Sequence, residues 1–258
     1  MSTNIFSKQD QFCNFEDGIM SELFALGYAL TAYTIGAGSL FWLFLASAGF
    51  APYAMTAFEP ENVMIAISIN LALVSLFAIQ HTVMARETFK TWWRKYLPQH
   101  LERATYVLVS GLLIILTLWA WQAIPGTMWN ISHPIVKFSI QAIATLGFIY
   151  VLVSSFITNH LELFGIRQAW MFANHQKYTP VKFNHHYMYR YSRHPMMAGL
   201  LVVFWATPDM SMTRFVLGLL MTLYVFIGIR YEERGLVREF GETYNQYQKQ
   251  TGMFYTFR

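Results

Sequence analysis

Apolar residues gather along this chain in long blocks rather than in the short alternations of a soluble protein. Four blocks, Leu23 to Phe50, Val63 to Ala85, Ala104 to Ile124 and Ile135 to Thr158, reach or exceed the roughly 20 residues that a helix needs to cross a bilayer. Two shorter blocks, Met196–Thr207 and Phe215–Ile229, flank Pro208-Asp209, and that breaker pair predicts a tilted helical hairpin rather than two independent crossings. Ahead of the first block, residues 1–22 are polar, with Asp10, Glu16, Asp17 and Glu22. They read as a solvated lead-in or a short interfacial helix, without the basic start or cleavage site of a signal peptide. The pattern therefore predicts an all-α, polytopic integral membrane bundle of five to six segments in one domain. Its parts are the lead-in 1–22, four spans over 23–158, and a region 159–258 built around the hairpin 195–230.

Composition agrees, since 55% of residues are hydrophobic and only 12% charged, against about 25% charged in soluble domains. A net charge of +4 would suggest nucleic acid in a soluble protein. Here the basic residues sit beside apolar spans, where they set orientation instead. Fifteen of the eighteen lie in three segments, 86–103, 160–194 and 230–258, while the loops near Glu59, His133 and Asp209 carry almost none. The positive-inside rule then puts those three segments and both termini in the cytosol, in an inner-membrane protein. The single cysteine, Cys13, excludes an internal disulfide. No metal site is expected, because the adjacent His185 and His186 point different ways.

That orientation brings polar residues to one depth. Gln80 and His81 end the second span, Asn159, His160 and Glu162 end the fourth, and His194 opens the fifth. Ionisable groups at membrane depth usually face a protein interior or a wet cavity, so one shared site explains them together; the bland reading has each of them capping its own helix. Arg86 and Arg103 read as headgroup anchors. Trp92-Trp93 and Trp119-Ala120-Trp121 read as an interfacial belt, and His133-Pro134 as an external turn. Tyr187, Tyr189 and Tyr191 suit either that belt or stacking on an adenine.

The stretch Tyr187 to Tyr247 holds the densest chemistry. Ser192-Arg193-His194-Pro195 precedes an apolar run, and proline suits the first position of a helix. The helix start expected there offers free amide donors and partial positive charge to an anion, with Arg193 and His194 adding to it. Tyr231-Glu232-Glu233 follows the last apolar run without a turn signal, which predicts one helix continuing beyond the membrane. On it Glu232, Leu236, Phe240, Tyr244 and Tyr247 share a stripe facing protein, so a carboxylate there needs a cation or a polar ligand.

RHPMMAG at 193–199, with its small Gly199, and EERGLVREFGETYNQY at 232–247 resemble the cofactor-binding region of the isoprenylcysteine carboxyl methyltransferase-like membrane enzymes. The segments QHTVMARETFKTWW (80–93), ERATYVLVSG (102–111), NHLELFGIRQAW (159–170) and FWATPDM (204–210) are similar to those of the membrane methanethiol S-methyltransferases. The resemblance covers roughly 75–250; Met197 replaces the family's usual aromatic, and the tail TGMFYTFR lacks the usual proline. It implies S-adenosylmethionine as cofactor, held by Tyr189, Arg193, His194, Pro195, Gly199, Glu232, Glu233, Tyr244 and Tyr247. It implies methyl transfer to a small thiol by direct displacement at the cytosolic rim, with His81 or His160 as base beside Asn159 and with Arg86 as electrostatic helper. A lipid or isoprenylcysteine acceptor, or a non-catalytic NnrU-like role, is the alternative.

Overall fold

The computed structural model describes residues 6–50, 55, 58–179 and 186–256, with side chains described at 18 and from 20 onward. The readings made for the side chains of Asp10, Glu16 and Asp17, and for Lys182, His185 and Arg258, fall outside those residues.

Five helices are long and apolar enough to cross a membrane: Met20–Ser47 within α1 (Phe6–Ser47), α2 (Val63–Met84), α4 (Gln99–Trp119), α5 (Pro134–Ile157) and α9 (Met212–Phe240). Local chemistry starts three of them. The Asn62 side chain accepts from the Met64 N–H at 2.7 Å to cap α2, Pro134 opens α5, and Ser211 accepts from the Arg214 N–H at 3.2 Å to cap α9. The polar lead-in is the beginning of α1 rather than a separate helix. The chain is an all-α polytopic membrane bundle, with the short helices α3 (Glu87–Trp93), α6 (His160–Leu163) and α7 (Ile166–Ala173) between the long ones.

The hairpin is asymmetric. Helix α8 (Pro195–Trp205) has 11 residues, about 16 Å at 1.5 Å per residue, and cannot cross a core about 30 Å thick. Its partner α9 has 29 residues, about 43 Å, and is longer than that core. Between them Asp209–Ser211 (β2) pairs antiparallel with Thr127–Asn130 (β1), a small ribbon at the end opposite the basic segments. At that end Asn70, fully buried, exchanges two hydrogen bonds with the Gln122 backbone at 3.0 and 2.8 Å. Trp121 is also fully buried there, so of the two indoles expected in the interfacial belt only Trp119 is exposed. The Trp121 ring is drawn inward by packing on Leu118 and Leu217 and by its N–H bond to the Thr213 carbonyl.

Membrane helices gain little from hiding apolar surface from lipid, so small residues that admit close backbones decide how they cross. A Cβ on Gly111 of α4 would lie 2.9 Å from the Gly36 Cα of α1. A Cβ on Gly199 of α8 would lie 2.7 Å from the Gly147 carbonyl of α5. These two crossings carry α4 against α1 and α8 against α5.

One expectation changes in a way that matters for the site. The helix carrying Glu232 does not run on to Tyr247: it stops at Phe240, Gly241 takes φ +57°, and α10 (Glu242–Gln250) starts on a new axis. Glycine alone enters that backbone region without a Cβ penalty. The turn folds α10 back toward the start of α8.

Candidate active site

Two segments far apart in sequence meet at the basic end. The Arg193 and His194 N–H groups each donate to the tail, to the Gly252 and Met253 carbonyls at 3.0 Å, and the Ser192 hydroxyl donates to Met253 at 3.1 Å. This short ladder fixes the chain as it enters α8, where Pro195 takes the first helical position. Helix α10 supplies the rest from one face, since Tyr244, Tyr247, Gln248 and Thr251 recur at three- and four-residue steps. The Tyr247 hydroxyl donates to the Tyr189 carbonyl at 2.5 Å, tying the 3-10 turn Tyr187–Arg190 to α10.

Glu233 is the hub of this junction. Arg193 Nε donates to its Oε1 at 2.7 Å, His194 Nε2 lies 3.0 Å from the same oxygen, and Gln248 Nε2 donates to Oε2 at 3.0 Å. Arg193 spends its remaining reach on the Thr251 and Gln248 carbonyls. The three charged side chains of this cluster are 12%, 3% and 16% exposed for Arg193, His194 and Glu233. Burial alone would depress the His194 imidazole; the hydrogen bonds and charges of Glu232 and Glu233 outweigh it and hold its pKa above the ordinary value.

Glu232 is placed differently. Its side chain is 50% exposed, and its oxygen lies 3.5 Å from His194 Nδ1. Burial pushes the Tyr189 phenol up to about 12, and burial followed by the two glutamates raises Tyr244 as well, so both remain protonated donors near neutral pH. Arg86 lies over the ring of Tyr231 at 5.0 Å, one residue before Glu232. Gly199 has its small size explained by the α5 crossing.

His81 stands in a hydrogen-bond chain of its own at the end of α2. Its Nε2 is 2.7 Å from the Tyr106 hydroxyl, its Nδ1 is 3.1 Å from the Ser110 hydroxyl, and Ser110 in turn donates to Gln80 Oε1 at 3.2 Å. The Tyr224 ring stands edge-on to it at 6.2 Å. Arg103 points inward rather than to headgroups, stacking over Tyr106 at 5.1 Å while its Nε donates to the Leu163 carbonyl at 2.9 Å.

His160 sits in a different packing environment, although it shares the same end of the bundle. It is stacked on Phe156 at 4.4 Å, with Nε2 3.1 Å from the Tyr33 hydroxyl and Nδ1 2.8 Å from Ser155. Asn159 has φ +84°, and its side chain accepts the Glu162 N–H at 3.1 Å to cap the short helix α6 (His160–Leu163). Among the described residues no contact joins His160 to His81 or His194. Gly165 locks this loop onto α4, since a Cβ there would lie 2.4 Å from the Ala104 nitrogen. No group of His, Cys, Asp or Glu among the described residues could hold a metal ion.

Tyr106, Ser110 and Gln248 were not singled out from sequence. Each carried a spacing signal: Ser110 follows Tyr106 by four residues, and Gln248 follows Tyr244 by four, which puts each pair on one helix face.

Residues 69–210 match the family model described as NnrU protein. The methanethiol S-methyltransferase of Crocosphaera subtropica is 38% identical over 208 residues, covering 81% of this chain and 82% of that protein. Methanethiol S-methyltransferase 2 of Bradyrhizobium diazoefficiens is 37% identical over 240 residues, 91% of each chain. The methanethiol S-methyltransferase of Mycobacterium tuberculosis is 38% identical over 188 residues, 73% of this chain and 77% of that one. This chain belongs to the methanethiol S-methyltransferases, within the NnrU family. The NnrU match takes in His81, Tyr106, His160, Arg193 and His194 but ends before Glu232. A methanethiol S-methyltransferase match over 91% of the chain takes in Glu232 and Glu233 as well. No solved structure matches the chain.

Proposed function

We propose that the protein is an S-adenosylmethionine-dependent S-methyltransferase acting on methanethiol, with its site at the cytosolic end of the bundle. The carrying observation is the contrast between the two adjacent glutamates: Glu233 is consumed by Arg193, His194 and Gln248, while Glu232 is half-exposed, with its oxygen 3.5 Å from His194. The acceptor comes from the names of the relatives.

The residues fit the donor. Helix α8 has no side-chain cap, so its first N–H groups are open to a carboxylate. Glu232 suits an ammonium or ribose hydroxyls, and Tyr189 offers an aromatic face. When bound, S-adenosylmethionine supplies a methyl group on a sulfonium sulfur, and transfer to a thiolate cancels charge. The chain's part is to keep that meeting dry and aligned; alignment alone can contribute about 7–11 kcal/mol in the best cases. An alkanethiol is mostly protonated near pH 7, so a base helps. We assign that role to His81, which is hydrogen-bonded to Tyr106 and Ser110, and give His160 a supporting role in holding the α1–α5–α6 corner.

Purified protein given S-adenosylmethionine and methanethiol should release dimethyl sulfide into the headspace. KM should be high, because methanethiol offers one methyl group worth about 0.8 kcal/mol of burial, and rates should rise with pH as thiolate forms. His81→Ala should lower kcat far more than donor affinity, and His160→Ala less so. Methylation of a prenylated cysteine without methylation of methanethiol would reject the acceptor.

Orientation has its own check, resting on the fifteen clustered basic residues. Reporter fusions after Leu97, Lys177 and Arg258 should all report cytosol. A periplasmic signal from any of them would remove a cytosolic donor's access to the site.

A further inference from the structure

The hydrogen-bond chain through His81 fixes where its proton sits. Gln80 Nε2 lies 3.0 Å from the Met84 sulfur, and a thioether accepts but cannot donate, so the amide must turn its NH2 to Met84 and its oxygen to Ser110. The Ser110 hydroxyl spends its single proton on that oxygen at 3.2 Å. Toward His81 Nδ1, at 3.1 Å, Ser110 can then only accept, which places the imidazole proton on Nδ1. Nε2 is left as an acceptor, and the group donating to it is the Tyr106 hydroxyl at 2.7 Å. Both ring nitrogens are therefore occupied, and a thiol cannot reach His81 directly without displacing Tyr106.

The Tyr106 oxygen, having donated its proton, retains lone pairs. Tyr106 also lines a small open cleft at the basic end, together with Met84, Phe89, Trp93 and the charged Lys90, Glu102 and Arg103. Thioether and aromatic walls suit a methylthio group, since sulfur and rings attract each other. Arg103 is stacked over the Tyr106 ring at 5.1 Å and holds that ring in place.

We propose that Tyr106 is the residue that takes the proton from the acceptor thiol, acting as a relay to His81. This rests on the methyl-transfer reading above and adds a catalytic residue to it. The thiol S–H proton passes to Tyr106 Oη as the Tyr106 proton passes to His81 Nε2, leaving a neutral phenol, an imidazolium and a thiolate. The thiolate lone pair forms the bond to the donor's methyl carbon, and the pair of the breaking carbon–sulfur bond stays on the donor sulfur. His81 then returns its extra proton to water, so the net reaction releases one proton.

The test combines a readout of the relay without donor and one with it. In protein labelled with 15N-histidine, with no donor added, His81 should show a protonated Nδ1 and a hydrogen-bonded, unprotonated Nε2. Tyr106→Phe should move the Nε2 resonance alone. In turnover, Tyr106→Phe should lose about 100-fold in kcat near neutral pH, in keeping with the usual worth of a positioned proton acceptor. It should keep its affinity for S-adenosylmethionine, recover as pH rises and thiolate arrives from solution, and lose the solvent deuterium isotope effect of the wild type. A Tyr106→Phe variant with wild-type kcat and isotope effect would overturn the relay while leaving the methyltransferase reading intact. A wild-type protein that binds S-adenosylmethionine but methylates no thiol would overturn that reading, with the histidine tautomer still reporting on the hydrogen-bond chain. A proton on Nε2 in the wild type would overturn the relay by itself.

Discussion

Replacing Glu233 by alanine should unfold the basic end of the bundle and lower stability by about 3–5 kcal/mol, the range found when one partner of a buried ion pair is removed. The size follows from what Glu233 leaves behind. Arg193 and His194 are almost wholly buried, and each directs a nitrogen at the same Glu233 oxygen, at 2.7 and 3.0 Å. Without it the junction holds cationic groups with no carboxylate except the half-exposed Glu232. Gln248 loses its acceptor as well, so α10 is left with the ties from Arg193 and Tyr247. Thermal unfolding in detergent checks this, and Glu233→Gln, which keeps the shape and one acceptor, should fall between alanine and wild type. Equal melting temperatures for all three would mean that the cluster contributes nothing.

The same cluster gives stability a pH dependence with a definite sign. His194 has a folded-state pKa raised above its ordinary value of 6.5. A raised pKa means that the folded state binds the proton more tightly, so this contribution is complete below about 6.5 and is lost as pH rises through the folded value. The stability gap between wild type and His194→Gln should therefore be widest in mildly acid solution and narrow toward alkaline pH. A gap that widens with pH would mean that the imidazole is neutral in the fold.

How much of this was legible in the sequence depended on the range of the interaction. The spans were readable because lipid imposes a length on each apolar block, and the start of α8 because Pro195 has a local preference. The clustering of basic residues and the depth of His81 and His194 followed from the spans. What escaped was set by contacts made after folding. Gly241 reads as an ordinary residue in a helical stretch, and only its positive φ turns the expected Glu232–Tyr247 stripe into two helices that face each other. The tail looks like a loose end, yet the Gly252 and Met253 carbonyls hold Arg193 and His194. Asn159 and His160 end their span as His81 ends its own, but that says nothing of azimuth, and in the fold His160 turns toward Tyr33 of α1. Nor could sequence separate Glu232 from Glu233, which sit about 100° apart on one helix and differ only in what lies across from each.

That separation carries the other large expected effect. Glu232→Ala should lose S-adenosylmethionine binding by roughly 10- to 150-fold, as expected for hydrogen bonds to a charged group worth about 1.5–3 kcal/mol. Its melting temperature should stay close to wild type, because its side chain is half-exposed and its His194 contact is long at 3.5 Å. Surface changes of that kind usually alter stability by no more than about 0.5 kcal/mol. Calorimetric titration with S-adenosylmethionine and with S-adenosylhomocysteine separates the reasons for any loss. Both carry the amine and ribose that suit Glu232, but only the former bears the sulfonium charge. A loss shared equally by the two would assign Glu232 to the amine or ribose; a loss confined to S-adenosylmethionine would assign it to the sulfonium; and undiminished affinity for both in a folded Glu232→Ala protein would move the donor site away from this end of α9. Because Glu233→Ala should fail by unfolding and Glu232→Ala by binding, the two adjacent carboxylates can be told apart by a melting curve and a titration on the same preparations.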